Sequence, residues 1–235
     1  MSEELVAPVI SDSDIYDRIV DAVLDHRLAP GTKLVEEKLG RAFGVSRTRI
    51  RQVLIRLAAE QLVVLTPNRG ASVASPTPDE AREVFGARQL IEPTIVESFT
   101  ANAQSRDLAT LSRLITEEET ARRTGKRRVA IRLSGDFHLT IAECAGNRTL
   151  EKMLRELISR TSLILMTYDS VDSHASNHAA GCGCTEHRAL LDAMQARDAR
   201  AAKQIMKRHL TQLERNIRFV PDEADDTDLE SIFSN

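Results

Sequence analysis

The apolar residues in the first third of the chain recur with helical spacing and are separated by turn sequences. Ile15, Ile19 and Val23 are each four residues apart, which places them on one face of a helix. The sequence Pro67-Asn68-Arg69-Gly70 has the residue types of a turn. The predicted elements are a helix that ends near residue 26, helices over 35–43 and 47–60, and short strands over 62–65 and 71–74. This order is typical of a winged helix-turn-helix.

A second region follows the sequence Ser75-Pro76-Thr77-Pro78. Its two prolines prevent a continuous helix, and Thr77 is suited to cap the next one. The predicted helices beyond it cover residues 79–101, 105–123, 127–145, 149–170, 185–196 and 199–218, with no strand. We therefore expect a mainly α protein. Its predicted parts are an N-terminal winged helix-turn-helix domain over 1–75, a C-terminal all-helical (six-helix) domain over 76–220 and an acidic, disordered tail over 221–235.

Composition narrows the class of protein. Only 3% of the residues are aromatic while 42% are hydrophobic, which indicates an aliphatic core. Three cysteines are too few for a disulfide framework and suit a reducing compartment. The N-terminus does not resemble a signal peptide, and no apolar stretch reaches the roughly 18 residues of a membrane span. We expect a cytoplasmic protein that does not bind a membrane.

The predicted helix 47–60 carries the charge pattern of a DNA-reading helix. The formal net charge of the chain is −3, yet between residues 41 and 56 there are five arginines and no acid. Gly44 suits the preceding turn, because glycine adopts a positive φ without strain. Ser46 is placed to cap the helix. A solvated charged face is the alternative interpretation of such a charge run.

On a helical wheel, the apolar residues of this helix face one side and the polar residues face the other. Arginine can pair with guanine and glutamine with adenine through two hydrogen bonds each, and flanking arginines suit phosphates. Arg69 at the hairpin tip is placed to reach the DNA backbone. The candidate contacts to double-stranded DNA are Arg47, Thr48, Arg49, Arg51, Gln52, Arg56 and Arg69.

Three histidines lie on three different predicted helices of the second region. His138, His187 and His209 each occupy the face that bears the apolar residues. Buried neutral imidazoles are good ligands for a divalent metal, which would be Zn, with Ni and Mn as alternatives. The alternative is that each histidine is a core residue with one hydrogen bond.

The motifs of the first region resemble those of the GntR family of bacterial regulators. The resemblance extends over residues 15–75 and implies that Arg47, Thr48 and Arg51 contact bases or phosphates. Arg49 departs from it, because many members have proline there. The matching segments are Pro30-Gly31-Thr32-Lys33-Leu34, Gly44-Val45-Ser46-Arg47-Thr48, Arg51, Val53-Leu54, Arg56-Leu57 and Asn68-Arg69-Gly70.

The second region is similar to the FCD domain, the six-helix effector module of FadR-type GntR regulators. The similarity covers residues 79–218. The matching segments are Arg88, Glu92, Asp136-Phe137-His138, Ala145-Gly146-Asn147, residues 186–193 and Arg208-His209-Leu210. In metal-binding members the ligands are an acid and three histidines, and His138, His187 and His209 match the histidines. Ser134 stands at the position of the acid.

The same resemblance implies a small carboxylate effector and a homodimer. Arg88, Ser134 and Asn147 are the candidate effector-binding residues, since a guanidinium can hold a carboxylate through two hydrogen bonds. A Cys184 thiolate that completes the metal site is an alternative to the interpretation of Cys182-Gly183-Cys184 as a flexible loop.

These features together predict a ligand-responsive transcriptional regulator, a repressor that a small organic acid releases from its operator. The first alternative is a metal-dependent hydrolase with an appended DNA-binding domain. Against this alternative, the chain has no His-Glu-x-x-His spacing that would provide a catalytic base. The second alternative, a structural nucleoid protein, has no need of a buried polar cavity.

Overall fold

The computed structural model of the protein describes residues 10–25, 27–168 and 179–217 and the single residue Ile232. The chain divides into two compact units: the residues up to Ala74 together with Ile232 belong to the first, and the second begins at Ser75. The predicted tail, 221–235, lies outside the described residues except for Ile232, whose carbonyl oxygen accepts a hydrogen bond from Arg27.

The first unit is a winged helix-turn-helix. Its elements are α1 (Asp12–Leu24), β1 (Lys33–Leu34), α2 (Glu36–Phe43), α3 (Arg47–Ala59), β2 (Val63–Thr66) and β3 (Gly70–Val73). The strands form an antiparallel sheet in the order β1-β3-β2, with Leu34 opposite Ala71 and Leu65 opposite the same residue on the other side. Strand β1 was not predicted, because two residues are too few to show an alternating pattern.

The turn between α2 and α3 is shaped by two glycines. Gly44 has φ +66°, the left-handed conformation that favours glycine. A Cβ atom on Gly40 would lie 2.9 Å from the carbonyl oxygen of Val45, so only glycine allows this approach of α2 to the turn. The side chain of Ser46 accepts a hydrogen bond from the backbone N–H of Arg49 and caps α3. The buried residues of α3 are Ile50, Val53, Leu54 and Leu57. The opposite face of α3 is thereby left to solvent.

The second unit is a helical bundle, as predicted. Its described helices are α4 (Pro78–Asn102), α5 (Ser105–Arg123), α6 (Arg127–Cys144), α7 (Arg148–Tyr168), α8 (Ala179–Gln195) and α9 (Ala199–Arg215). Thr77 and Glu80 form a capping box at the start of α4. All six helices contribute to one aliphatic core. Within the described part of the chain, no helix is long and apolar enough to cross a membrane.

Helix α8 begins earlier than the sequence suggested. The predicted helix began at residue 185, but the chain is helical from Ala179; residues 169–178 lie outside the described residues. Gly183 lies against α5, where a Cβ atom would be 3.5 Å from a guanidinium nitrogen of Arg122. Cys184 is buried. Packing against α5 therefore outweighs the low helix propensity of the two glycines in this segment.

Candidate DNA-binding helix and metal centre

The outer face of α3 presents polar side chains to solvent. Thr48, Arg51 and Gln52 are exposed, and no hydrogen bond or ion pair joins them to any residue that the structure describes. Arg47 is also exposed, with a guanidinium nitrogen 3.8 Å from a carboxylate oxygen of Glu36. Arg69 is exposed in the turn between β2 and β3. These five side chains are available to contact a ligand without breaking a close internal hydrogen bond.

Two other arginines of α3 are bound to α1 instead. The guanidinium of Arg49 donates from Nε to Asp12 Oδ1 at 2.7 Å and from Nη2 to the carbonyl oxygen of Ile10 at 2.7 Å. The guanidinium of Arg56 lies 3.8 Å above the centre of the Tyr16 ring, and the Tyr16 hydroxyl donates a hydrogen bond to Glu60. Arg49 and Arg56, which the sequence assigned to DNA, thus hold α1 against α3.

The three predicted histidines come together in the core of the second unit. His138 lies on α6, His187 on α8 and His209 on α9, and each is no more than 2% exposed. Their ring centroids are 4.7 to 5.3 Å apart. One ring nitrogen of each lies within 4.8 Å of those of the other two. Sequence reasoning therefore grouped residues that the fold does bring together.

A carboxylate accepts a hydrogen bond from Nδ1 of each histidine. The distances are 2.5 Å from His138 to Glu92, 2.8 Å from His187 to Glu118 and 2.8 Å from His209 to Glu186. With Nδ1 as the donor, the lone pair of each neutral ring lies on Nε2. All three Nε2 atoms are buried, and none has a hydrogen-bond partner. Three convergent, unpartnered nitrogen lone pairs fit a metal ion, and the carboxylates orient the rings as they do around protein-bound metals.

Burial and charge fix the protonation states of this cluster. Burial lowers the pKa of all three histidines, although their carboxylate partners oppose this shift. Burial would raise the pKa of Glu92, but Arg88 and His138 outweigh it and lower the pKa to about 2. His187 and Arg122 likewise lower the pKa of Glu118 to about 2 against burial. Near neutral pH the cluster therefore contains neutral imidazoles and ionised carboxylates, which is the state that binds cations.

A small cavity adjoins His138. It encloses about 270 Å³ of space not filled by atoms, including its mouth. The lining residues are Arg88, Ile131, Ser134, Gly135, His138, Ile158, Thr161, Ser162, Leu165 and Leu213. The lining thus combines aliphatic side chains with three hydroxyls and one guanidinium.

Arg88 is the cation of this cavity and is 1% exposed. Its Nε donates to Glu92 Oε1 at 2.6 Å and its Nη1 donates to Thr161 Oγ1 at 3.3 Å. Its Nη2 is buried and has no partner. A buried guanidinium nitrogen without an acceptor is costly, so this atom points to a ligand that supplies an oxygen.

The other two predicted effector residues differ in their surroundings. Ser134 lines the cavity, one turn before His138 on α6. Asn147 is exposed and does not line it. The Asn147 side chain instead accepts hydrogen bonds from the N–H groups of Thr149 and Leu150 and caps α7. We therefore leave Asn147 out of the effector site.

Cys184 lies beside the carboxylate that orients His187. Its thiol is hydrogen-bonded to Glu118, and burial raises its pKa to about 11. Among the described residues, the potential ligand atoms that lie within 4.8 Å of one another belong to the three histidines and not to Cys184, so its thiol does not complete this cluster as the sequence had suggested. The side chain of Cys182 lies outside the described residues.

Sequence reasoning missed the three carboxylate partners. One signal for Glu118 was present, since Leu111, Leu114, Ile115 and Glu118 follow helical spacing and place an acid on the buried face of α5. Glu186 adjoins His187 in the sequence, but its partner is His209 on the next helix. Neighbours in sequence diverge on a helix, whereas neighbours across helices can meet.

Two family models match the chain. The model of the FCD domain matches residues 83–212, and the model of the bacterial regulatory proteins of the gntR family matches residues 12–73. The chain belongs to the GntR family. It is a DNA-binding transcriptional regulator and not an enzyme, and nothing supports the hydrolase alternative.

Individual relatives agree with this assignment. The HTH-type transcriptional regulator YdhC of Bacillus subtilis is 26% identical over 195 residues, which are 83% of this chain and 85% of YdhC. The HTH-type transcriptional repressor RspR of Escherichia coli is 23% identical, over 92% of both chains. Among solved structures, McbR/YncC of E. coli has a TM-score of 0.74 at 21% identity, covering 88% of this chain and 98% of that chain. This last likeness concerns the fold alone.

Proposed function

We propose that this GntR regulator is a repressor of the FadR type that is controlled by a divalent metal and a small carboxylate. The metal is held by His138, His187 and His209. The carboxylate occupies the adjoining cavity and binds Arg88. The observation that carries the proposal is a group of four buried atoms without partners in the second unit, namely three histidine Nε2 atoms and one arginine Nη2 atom; the fifth such atom among the described residues is Thr32 Oγ1 in the first unit.

The chemistry of the donors favours Zn, with Ni and Mn as alternatives. Neutral imidazole nitrogen is a preferred ligand of zinc, and three protein ligands leave a coordination position open. When bound, the cation supplies positive charge and an open coordination position for an anion. The burial of the three rings supports this assignment, because a buried site without a cation leaves three nitrogen acceptors unsatisfied.

Ser134 makes the site responsive to an anion. It stands where metal-binding relatives have an acid, so none of the side chains that would contact a dication is charged, and negative charge comes only from the carboxylates behind the rings. An effector carboxylate therefore gains more by completing the site than it would beside a fourth, acidic ligand. We infer that the metal is held less tightly in the absence of the effector.

The cavity limits the effector to a small molecule. The space of about 270 Å³ includes open solvent at the mouth, so the enclosed part of the cavity is well below the range of about 300–1,000 Å³ that is usual for ligand pockets. One available guanidinium nitrogen and mainly aliphatic walls favour a single carboxylate on a short carbon chain. The hydroxyls of Ser134, Thr161 and Ser162 are available to bind further polar groups of the effector.

Operator binding is assigned to the exposed face of α3. Thr48, Arg51 and Gln52 read base edges, while Arg47 and Arg69 contact phosphates. The protein acts as a homodimer, which suits a palindromic operator. A repressor role is proposed because RspR carries that designation. Sedimentation of the full chain as a monomer at every concentration would rule out the dimer.

The experiment combines native mass spectrometry of the full-length protein with measurements of its binding to DNA. Native mass spectrometry of the purified chain identifies any metal and acid that copurify. Fluorescence anisotropy with an operator selected from random duplexes then measures release by a panel of short carboxylates. We expect Arg88→Lys to keep the metal and DNA binding but to lose the response to acids, because lysine retains the charge opposite Glu92 and lacks the fork of donors.

The control is Arg113→Lys, the same change at an exposed pair with Glu117. It should leave the response to acids unchanged. If Arg88→Lys responds to the same acids as the wild type, at the same concentrations, Arg88 is not part of the effector site.

A further inference from the structure

Arg49 is the one arginine of α3 that an acid of α1 holds at close range among the described residues. Besides the bond from Nε, its Nη2 lies 2.6 Å from Asp12 Oδ1. The same nitrogen donates to the carbonyl oxygen of Ile10. Two of the three guanidinium nitrogens are therefore occupied by the start of α1.

Arg49 lies in the part of α3 that is expected to approach DNA. Arg49 is in the first turn of α3, next to Thr48 and two residues before Arg51. The first turn of a recognition helix is the part that approaches DNA. The Arg49 side chain is 33% exposed and that of Asp12 is 54% exposed, so a phosphate can reach the pair from solvent.

Asp12 also brings a negative charge to a helix start that has no acid of its own. The first turn of α3 contains no Asp or Glu. DNA phosphates are attracted to the positive end of a helix and to free guanidinium groups. A carboxylate on Arg49 neutralises one of these groups and repels the incoming phosphates.

We propose that Asp12 is a built-in latch on the recognition helix that holds Arg49 away from DNA and lowers the affinity of the regulator for DNA. Arg49 is available to a phosphate only when it leaves Asp12. The inference rests on the family's DNA-binding activity and is independent of the metal and the effector. The alternative is that the pair only fastens α1 to α3 and has no effect on DNA.

The dependence of DNA affinity on salt distinguishes these two cases. Each phosphate contact releases counterions and adds about 0.9 to the slope of log K against log salt concentration. The probe is a random-sequence DNA duplex, which reports phosphate contacts without a known operator. The full-length wild type is compared with Asp12→Asn, Arg49→Ala and the double variant by fluorescence anisotropy over a range of salt concentrations.

The latch predicts that Asp12→Asn binds more tightly and has a slope steeper by about 0.9, because Arg49 then contacts a phosphate. Arg49→Ala alone should have the same slope as the wild type. In the double variant, Arg49→Ala should remove the increase in affinity and slope that Asp12→Asn causes. The matched control is Asp17→Asn, which removes the same charge from an exposed position on α1 without a contact to Arg49. Asp17→Asn should raise the affinity for DNA less than Asp12→Asn does, and its slope should equal that of the wild type.

Two results would overturn the proposal. One is an Asp12→Asn variant with the same slope and affinity as Asp17→Asn. The other is a loss of slope of about 0.9 in Arg49→Ala alone, which would mean that Arg49 already contacts a phosphate in the wild type. Thermal unfolding of the same samples identifies any loss of α1. If Asp12→Asn is unstable, Asp12→Ser replaces it, since Ser11 and Asp14 rather than Asp12 form the cap of α1 and a serine carries no charge to pair with Arg49.

Discussion

The two units of the chain differ in where the polar atoms that we assign to ligands lie. In the first unit these atoms are on the surface, where Thr48, Arg51 and Gln52 project from α3 into solvent. The one buried side-chain polar atom without a partner among the described residues of that unit is Thr32 Oγ1. In the second unit they are buried, as three histidine nitrogens and one arginine nitrogen. Water satisfies the first group at little cost, whereas the second group has no such partner.

This difference indicates two kinds of binding. An exposed arginine contributes little to the stability of the fold and remains available to bind DNA phosphates. A buried donor or acceptor without a partner is destabilising, so the fold must benefit from a ligand that reaches it. Changes in the second unit should therefore have the larger effects.

The largest expected effect is at the metal centre. His187→Ala removes one of the three converging nitrogen donors, and we expect the variant to take up no metal and to lose release from DNA by acids. Its DNA binding without effector should remain, because His187 lies outside the first unit. Elemental analysis and anisotropy titrations measure both properties.

The control for this variant is Asp192→Ala, which removes an exposed acid from the same helix. It should retain the metal. If His187→Ala binds metal and responds to acids like the wild type, the three histidines are structural and the comparison between the units fails.

A smaller effect is expected from the carboxylate behind His187. Glu118→Gln weakens the hydrogen bond that orients the ring, and loss of such a partner typically lowers metal affinity by about 10- to 100-fold. Glu119→Gln is the matched control, since Glu119 is adjacent but pairs with Arg188 at the surface. Competition with a chelator measures the affinity, and equal affinities in the two variants would contradict this role of Glu118.

On the surface of α3, Arg51→Ala should lower discrimination between the selected operator and a scrambled duplex by about 1–3 kcal/mol. The physical reason is the loss of two hydrogen bonds to a base edge. Folding should be unaffected, because Arg51 is exposed and no hydrogen bond or ion pair joins it to a described residue. Anisotropy titrations with both duplexes measure the ratio, and an unchanged ratio would exclude Arg51 from base readout.

The smallest effect separates Arg56 from Arg51 on the same helix. Arg56 stacks on Tyr16, a contact worth about 0.5–1 kcal/mol at an exposed site. Arg56→Ala should therefore lower the free energy of unfolding by about that amount and leave operator discrimination unchanged. Urea denaturation and the same pair of duplexes test this. A variant as stable as the wild type but with reduced discrimination between the two duplexes would show that Arg56 contacts DNA.

The first unit could be predicted closely from the sequence because its signals are local. Gly44 ends α2, Ser46 caps α3, and the apolar residues of α3 follow its own helical period. What the sequence could not provide was the contact of Arg49 with Asp12, which are 37 residues apart. Charge alone did not distinguish an arginine that faces DNA from one that holds a neighbouring helix.

The second unit was predictable in outline but not in its polar partners. The inward faces of α6, α8 and α9 identified the histidines, because apolar spacing reveals which face of a helix is buried. Their carboxylate partners come from other helices, 69 residues away along the chain in the case of Glu118 and His187. The start of α8 was also wrong, because contacts with α5 rather than local propensity determine it.

Metal stoichiometry tests the central claim most directly. The full-length chain is treated with a chelator and then dialysed to equilibrium against Zn²⁺, and its bound metal is measured at that equilibrium beside that of His187→Ala. The account predicts one ion per wild-type chain and none in the variant, since the three Nε2 atoms form a single site. A wild-type chain that retains no more metal than the variant would contradict it.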